Sequence, residues 1–202
     1  MGDIKKDIRI VSQAVAFRGF SKVHRIRLHH RRFDGEWSPE IEREVYERGD
    51  AVAVLLYDPK RDCVGLLEQF RAALLRDADP WDIAIVAGGM NPEEDAETVA
   101  RRETREETGH ELQAVIPICS FYTSPGGCRD KVRLYCGIYD SRDGDGVHGL
   151  PSEGEDIRLT SVPFVDAWKM FEDGRIDNAT SIIALQWLAR NRPWRRAWHA
   201  RR

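Results

Sequence analysis

Between Gly88 and Gly109 the sequence places six glutamates and three arginines, several of them at spacings that could do chemistry. On an α-helix, Glu103 and Glu107 are i,i+4 neighbours, and Glu106 lies beside them at i+3 from Glu103. Three carboxylates on one helix face repel each other unless a cation sits between them. Hard oxygen ligands of this kind suit Mg²⁺, which keeps several waters and accepts phosphate oxygens. Arg102 can hold either Glu94 or Glu106 by a charge-assisted pair. The Gly88-Gly89 corner lets the backbone approach such an ion, so the carbonyl of Ala87 or Gly88 is a further candidate ligand. A second acidic group, Glu153, Glu155 and Asp156, lies near four glycines. By residue type alone that segment reads as a solvated loop.

Several elements must position these groups. Ile83–Val86 is an apolar run that enters the glycine corner. Asn91 as N-cap and Pro92 at the first helical position predict a helix start, with Glu93, Glu94 and Asp95 at the positive end of its dipole. Gly109 stands where a terminal glycine would stop that helix. Upstream, Arg9–Ala16, Val23–Leu28 and the charge-rich Glu40–Glu47 read as strands, the last pairing at an edge or across a subunit boundary. Phe33–Trp37 contains the Asp-Gly signature of a hairpin turn. Ala51–Tyr57 and Cys63–Gln69 are apolar strands around the Asp58-Pro59 turn. Ile116–Tyr122 and Val132–Tyr139 follow as strands, then a polar loop over 141–156. Val165–Glu172 and Ser181–Arg190 read as closing helices with Gly174 and Pro193 as their stops. Strands, a helix, then more strands and helices predict an α/β/α sandwich around a mixed sheet, of the α/β (α+β) class.

The 202 residues, 42% hydrophobic and 32% charged, describe a soluble globular chain. No apolar run approaches the roughly 18 residues that span a bilayer, and the first residues carry no secretory h-region. The expectation is therefore a cytoplasmic protein with no membrane partner. Cys63, Cys119, Cys128 and Cys136 show no C-x-x-C spacing and read as buried free thiols. A net charge of −3 gives no argument for a nucleic-acid partner. The basic end, from Ala189 to Arg202, reads as a solvated helix end.

The stretch Gly88…Glu94…Arg102-Glu103…Glu106-Glu107…Gly109 resembles the Nudix box at every fixed letter. Seven such matches at fixed spacing arise by chance on the order of once in 10⁸ windows, at background frequencies of about 5–8%. Pro125, sixteen residues after Gly109, is similar to the proline of the dimeric ADP-ribose pyrophosphatase subfamily. Phe17–Phe20, Arg43-Glu44, Glu47–Gly49, Glu68–Arg71, His148–Leu150, Glu153–Asp156 and Ile176–Asn178 look like that subfamily too. The resemblance implies a Nudix-type sandwich over 49–202 and a β-rich N-terminal region, 1–48, for dimerisation and substrate binding. It implies Mg²⁺-dependent hydrolysis of ADP-ribose to AMP and ribose 5-phosphate by a homodimer with exchanged N-terminal regions. Glu103, Glu107, Glu155 and the Ala87 carbonyl would hold two or three Mg²⁺ ions, with Mn²⁺ as an alternative. Glu153 would be the base for the attacking water, with Glu106 and Arg102 beside it in the catalytic set. Arg43, Arg48 and Arg71 would contact phosphates or the terminal ribose, and Phe20 and Glu44 the adenine.

Some positions depart from the pattern. Thr104 and His110 stand where the box has aliphatic residues; Thr104 is expected to pack on the sheet, His110 to be exposed past the helix stop. Ala84 replaces a glutamate, Gly89 a larger apolar residue, and Asp130 a glutamate, and Gly89 and Asp130 belong to the expected substrate pocket. These changes keep open another nucleoside diphosphate sugar, such as GDP-mannose, as the substrate. A ligand sensor without turnover is the reading from a different class, and the intact box argues against it.

Overall fold

A computed structural model describes residues 4–76 and 79–199. The chain opens with β1 (Ile8–Arg18), β2 (Lys22–His30) and β3 (Ile41–Glu47), which pair antiparallel in the order β1-β2-β3. Both hairpin strands run longer than the sequence pattern predicts, with irregularities at Ile10/Ser12 and Val15/Phe17 that absorb the extra residues. Trp37 closes the turn region from between two guanidinium groups, Arg9 at 3.8 Å and Arg31 at 4.4 Å from its ring centroid. The strand expected over Glu40–Glu47 pairs with β2 within the chain.

The remaining elements are β4 (Ala51–Asp58), β5 (Cys63–Phe70), β6 (Trp81–Ala84), β7 (Val86–Gly89), α1 (Ala96–Thr108), β8 (Ala114–Tyr122), β9 (Lys131–Ile138), β10 (Gly146–His148), β11 (Ile157–Pro163), α2 (Phe164–Glu172) and α3 (Ala179–His199). Their sheet runs β10-β11-β5-β4-β9-β8, with β6 on β5 and β7 on β4. It is mixed, because β4 and β9 are parallel while β5 and β7 pair antiparallel with β4. Alternate residues of β4 face opposite ways. Val52, Val54 and Leu56 join Val99 and Ala100 of α1 in one core cluster. Ala53, Leu55 and Tyr57 are buried on the other face, and α3, whose Ala184, Leu185 and Leu188 are buried, packs against the same strand. This is the expected α/β/α sandwich.

Contacts divide the chain into two units: one running to Asp50 and including Phe121–Lys131, the other Ala51–Ser120 with the rest from Val132. The 121–131 segment, which sequence grouping leaves in the catalytic part, thus associates with the N-terminal strands.

Four local expectations need correction. The helix starts at Ala96, not after Asn91, because Asp95 supplies the better cap: its carboxylate accepts both the N–H and the hydroxyl of Thr98, at 2.9 and 3.0 Å. Residues 91–94 form a turn instead, closed by Glu94 N–H to the Asn91 carbonyl and by Asn91 N–H to the Glu94 carboxylate at 2.7 Å. The apolar run at 83–86 is two short strands that bend at Ile85 to serve different partners. Pro193 does not end the last helix, whose backbone continues to His199; a proline there forfeits one helical hydrogen bond without stopping the chain. Side chains of the basic tail from Pro193 onward lie outside the described residues. Of the four free cysteines only Cys136 is buried, and Cys119 is exposed. Among the described residues no helix is long and apolar enough to cross a membrane.

At one end of the sheet, Asp58 is buried and tied to five donors. They are the N–H groups of Lys60, Arg61 and Ser141, the Ser141 hydroxyl and the Arg61 guanidinium. Burial alone would raise its pKa, but these hydrogen bonds outweigh it and the pKa is lowered. Replacing Asp58 by Ala leaves several donors without a partner and should cost about 3 kcal/mol of stability. A urea unfolding series on Asp58→Ala checks this; a midpoint equal to wild type would show that the network contributes nothing.

Candidate active site

Helix α1 buries Val99, Ala100, Glu103, Thr104, Glu107 and Thr108. That is one stripe at i, i+4 spacing, apolar in its first half and acidic in its second. The packing that fixes the helix on the sheet therefore carries two glutamates inward with it. Thr104 is fully buried and returns its hydroxyl to the Ala100 carbonyl at 2.7 Å, as its expected packing position requires. The helix ends at Gly109 with φ 71°, whose N–H bonds the Arg105 carbonyl.

Glu107 is 3% exposed, and its Oε2 accepts the N–H of Ala87 at 3.1 Å. Ala87 pairs with Ala53 of β4, and in a strand the N–H and C=O of one residue point to the same side. The Ala87 carbonyl is therefore turned toward the helix as well. Glu103 lies directly over β7: a Cβ placed on Gly88 would fall 1.9 Å from the Glu103 Cδ, so only glycine fits there. Arg102 reaches Glu103 Oε1 at 2.8 Å and Glu106 Oε2 at 3.0 Å. Of the two partners that the spacing left open for Arg102, the direct contact is with Glu106.

The second acidic group comes from the loop after β10. Gly149 N–H bonds the Glu106 carbonyl at 3.1 Å, which fastens this loop to α1. Glu155 folds back so that its Oε2 accepts the Leu150 N–H at 3.0 Å, and Glu153 sits exposed in the short 3₁₀ turn Pro151–Glu153. The loop is thus a built structure and not merely a solvated one. Burial first, then the charges of Glu106, Glu155 and Glu153, push the Glu103 pKa up to about 7 against the relief from Arg102. Burial, Glu103 and Glu155 push Glu107 up to about 8, against relief from the Ala87 N–H and Arg71.

Five carboxylates (Glu103, Glu106, Glu107, Glu153 and Glu155) thus share the neighbourhood of two guanidinium groups, Arg102 and Arg71. The donor set is hard oxygen with an excess of negative charge, which fits a divalent cation such as Mg²⁺. Among the described residues no three of these side chains close on one point: Glu107 and Glu155 are held by backbone N–H groups, and Glu103 and Glu106 by Arg102. Such an open set suits an ion that takes part of its shell from water and substrate.

The other expected site residues fall in two groups. Arg71 lies with the carboxylates, its Nε 4.0 Å from Asp82, and Gly89 is exposed beside them with its carbonyl at 3.5 Å from Arg102. Phe20, Arg43, Glu44, Arg48 and Asp130 belong to the N-terminal unit. There Phe20 is almost wholly exposed between β1 and β2, Arg43 and Arg48 are exposed on or just past β3, and Glu44 pairs with Arg25 at 2.9 Å. Asp130 accepts the backbone N–H of Arg48 at 3.1 Å.

His110 is 3% exposed, contrary to expectation. Its Nε2 bonds the Gly144 carbonyl at 2.9 Å and its ring meets Tyr139 edge-on, so the imidazole fills the space an aliphatic residue would. Residue types alone also gave no role to His148, whose ring packs against Gly109; a Cβ there would lie 3.0 Å from its Cε1. The His148-Gly149 pair itself was the available signal. A recess of about 340 Å³ lined by Glu68, Trp81, Val147, Asp156 and Arg158 is a separate feature. Glu68 and Arg158 alternate with Leu67, Ile157 and Leu159 of the α1-side core, so they face away from α1.

Comparison with known proteins places the chain among its relatives. The NUDIX domain model matches residues 47–185. An ADP-ribose pyrophosphatase of Escherichia coli (strain K12) is 42% identical over 185 residues, covering 91% of this chain and 88% of that protein. One from Haemophilus influenzae is 36% identical over 191 residues, covering 93% and 88%. A GDP-mannose pyrophosphatase of Cronobacter sakazakii is 35% identical over 151 residues, covering 72% and 76%. A solved structure described as an ADP compounds hydrolase superposes with TM-score 0.67 at 17% identity, covering 91% of this chain and 93% of that one, and supports the fold.

The raised pKa values predict a specific pH response. Protonated Glu103 and Glu107 are favoured by the fold, so it binds more protons than the unfolded chain between about 4.5 and 8. Their contribution to stability is complete below about 4.5 and is lost as pH rises through about 7 to 8. Asp58, Asp95 and Asp140 shift the other way and act only at lower pH. The melting temperature of metal-free protein should therefore fall between pH 5 and 8.5, and the rise on adding Mg²⁺ should grow over the same window. Gly88→Ala, which displaces Glu103, should weaken Mg²⁺ by about tenfold or more and flatten that rise. A Mg²⁺ effect independent of pH would contradict the assignment.

Proposed function

The chain belongs to the Nudix family, and from that premise we propose that it hydrolyses the pyrophosphate bond of a nucleoside diphosphate sugar, ADP-ribose first among them. The observation that carries this reading is the buried Glu103–Glu107 pair set against the β7 backbone. The relatives that match nine-tenths of the chain at 36–42% identity are ADP-ribose pyrophosphatases, which supports the choice of substrate. GDP-mannose pyrophosphatases match at lower identity, the Cronobacter protein over a shorter length.

Glu103, Glu107, Glu155 and the Ala87 carbonyl would hold Mg²⁺, two or three ions in turnover, with Mn²⁺ able to replace it. When bound, the ion neutralises phosphate charge and polarises the phosphoryl oxygens. Arg102 holds Glu103 and Glu106 in position, and the Gly149–Glu106 bond keeps the 149–155 loop on the helix. Glu153, exposed on that loop, is the carboxylate that accepts a proton from the attacking water in this reading. The water oxygen bonds to one phosphorus, the bridging P–O bond breaks, and the products are AMP and ribose 5-phosphate. Arg43, Arg48 and Arg71 offer planar guanidinium groups to the phosphates, with Phe20 stacking and Glu44 accepting from the adenine.

The N-terminal region and the 121–131 segment serve substrate binding and dimerisation in this reading, in a homodimer that exchanges N-terminal regions in the cytoplasm. All eleven residues of β1 are exposed within the chain, among them Ile10, Val11 and Phe17, an unusual exposure for an apolar strand that a second copy would cover. Light scattering should return twice the chain mass, and removal of residues 1–48 should give a monomer; a full-length monomer at micromolar concentration would remove this part.

Turnover should be measured with Mg²⁺ on a panel of ADP-ribose, GDP-mannose, ADP-glucose, NADH and FAD. ADP-ribose should lead in kcat/KM, whereas a lead for GDP-mannose would move the specificity to Ala84, Gly89 and Asp130. No turnover of any compound would favour the sensor reading. Glu107→Gln should abolish Mg²⁺-dependent turnover with the fold intact. Glu153→Gln should lower kcat by about 10²–10⁴ with the Mg²⁺ requirement unchanged; full kcat in that variant would move the base to Glu155 or Glu106.

A further inference from the structure

Asp130 was expected to touch substrate, yet its carboxylate is committed elsewhere in its own unit. Its Oδ1 accepts the N–H of Arg48 across 82 residues of sequence, at 3.1 Å. The surrounding loop is laced to the end of β3 by its backbone. Tyr46 N–H bonds the Gly127 carbonyl at 2.8 Å, Arg129 N–H bonds the Tyr46 carbonyl at 3.2 Å, and Tyr46 forms a parallel bridge with Cys128. The Arg129 guanidinium meets Glu47 at 3.1 Å, and His24 reaches the same carboxylate at 2.9 Å. The loop is closed on itself by the N–H groups of Gly127 and Cys128 on the Ser124 carbonyl, at 3.0 and 2.7 Å. Residues 127–130 thus extend the three-stranded sheet at its β3 edge.

Arg48 stands immediately after the last paired residue of β3, where the ladder to β2 no longer supplies an acceptor. A carboxylate on a backbone amide makes a charge-assisted bond that fixes the chain at that point. A glutamate would carry its oxygens about 1.5 Å further, one bond length of the order of N–Cα, and overshoot this amide unless it folded back. The shorter side chain fits the contact made here.

We propose that Asp130 is a positioning residue for substrate binding, which acts through β3 by fixing the backbone from which the Arg48 guanidinium reaches a phosphate. It does not itself touch the substrate. This rests on the reading of Arg48 as a phosphate-binding arginine, and the test separates the two. The full-length protein and its Asp130→Asn, Asp130→Ala, Arg48→Ala and Asp130→Ala/Arg48→Ala variants are compared in two measurements. One is hydrogen exchange of the Arg48 amide; the other is kcat and KM on the preferred compound of the panel.

Asparagine keeps an acceptor oxygen, so Asp130→Asn should retain amide protection and a KM within about twofold of wild type. Asp130→Ala should lose the protection and raise KM about fivefold to twentyfold with kcat changed less than about twofold. The double variant should be no worse than Arg48→Ala alone, as expected for residues acting in series. A KM raised equally in Asp130→Asn and Asp130→Ala, with the amide still protected in the former, would overturn the proposal in favour of direct contact by the charge. Loss of protection in Asp130→Ala with an unchanged KM would overturn it too, while leaving the hydrolase reading intact. Absence of turnover in wild type would overturn the proposal together with the hydrolase reading on which it rests.

Discussion

The structure turns on placing two carboxylates on the buried stripe of a helix. An ionised glutamate loses much of its hydration when it is covered by protein, and Glu103 and Glu107 are both covered. Apolar packing in the first half of α1, through Val99 and Ala100, holds the helix against the sheet and forces the second half into the same contact. The cost appears as the raised pKa values of both groups. A divalent cation held there, as proposed, would relieve the conflict by restoring charge balance where the fold has left it short.

Once those glutamates are turned inward, neighbouring features become constraints. Strand β7 must run close beneath the helix, and at Gly88 there is no room for even one methyl group. The edge of β4 is shared, with β7 along Ala51–Val54 and β5 along Leu56–Asp58, so the sheet divides beside the acidic groups. That division leaves the Ala87 N–H free of the ladder and available to Glu107. The loop after β10 is fastened to the last turns of the same helix through Gly149, and His148 occupies the space beside the terminal Gly109. The glycines of the motif thus have distinct tasks, one set by close approach and the other by a left-handed backbone.

The parts of this arrangement that were legible in the sequence are those governed by local spacing. A helix with glutamates four apart, a glycine stop, and alternating apolar strands can be read without knowing what lies opposite. The helix start was misplaced because Asn91-Pro92 and Asp95 are both acceptable caps. Only the Thr98 side chain, which adds a second donor to Asp95, distinguishes them. His110 was expected at the surface because it is polar and follows a helix stop. Its burial depends on the Gly144 carbonyl and the Tyr139 ring, thirty residues away and invisible to any local pattern. Resemblance to a family supplied Glu153 and Glu155, which residue types alone would have left in a solvated loop.

The same distinction separates chemistry from specificity. The acidic groups of α1 are fixed within a single helix of 13 residues, so their spacing is preserved wherever that helix forms. The edge that carries Arg43 and Arg48 has no such internal ruler. Its geometry comes from β2 on one side and from the 127–130 backbone on the other, segments far apart in the chain. On the proposed role of Asp130, a one-methylene change there would reposition an arginine without altering any residue of the acidic motif. With the roles proposed for these residues, substrate preference would drift through contacts between distant segments while the acidic groups of α1 stay in register, because the two rest on different orders of structure.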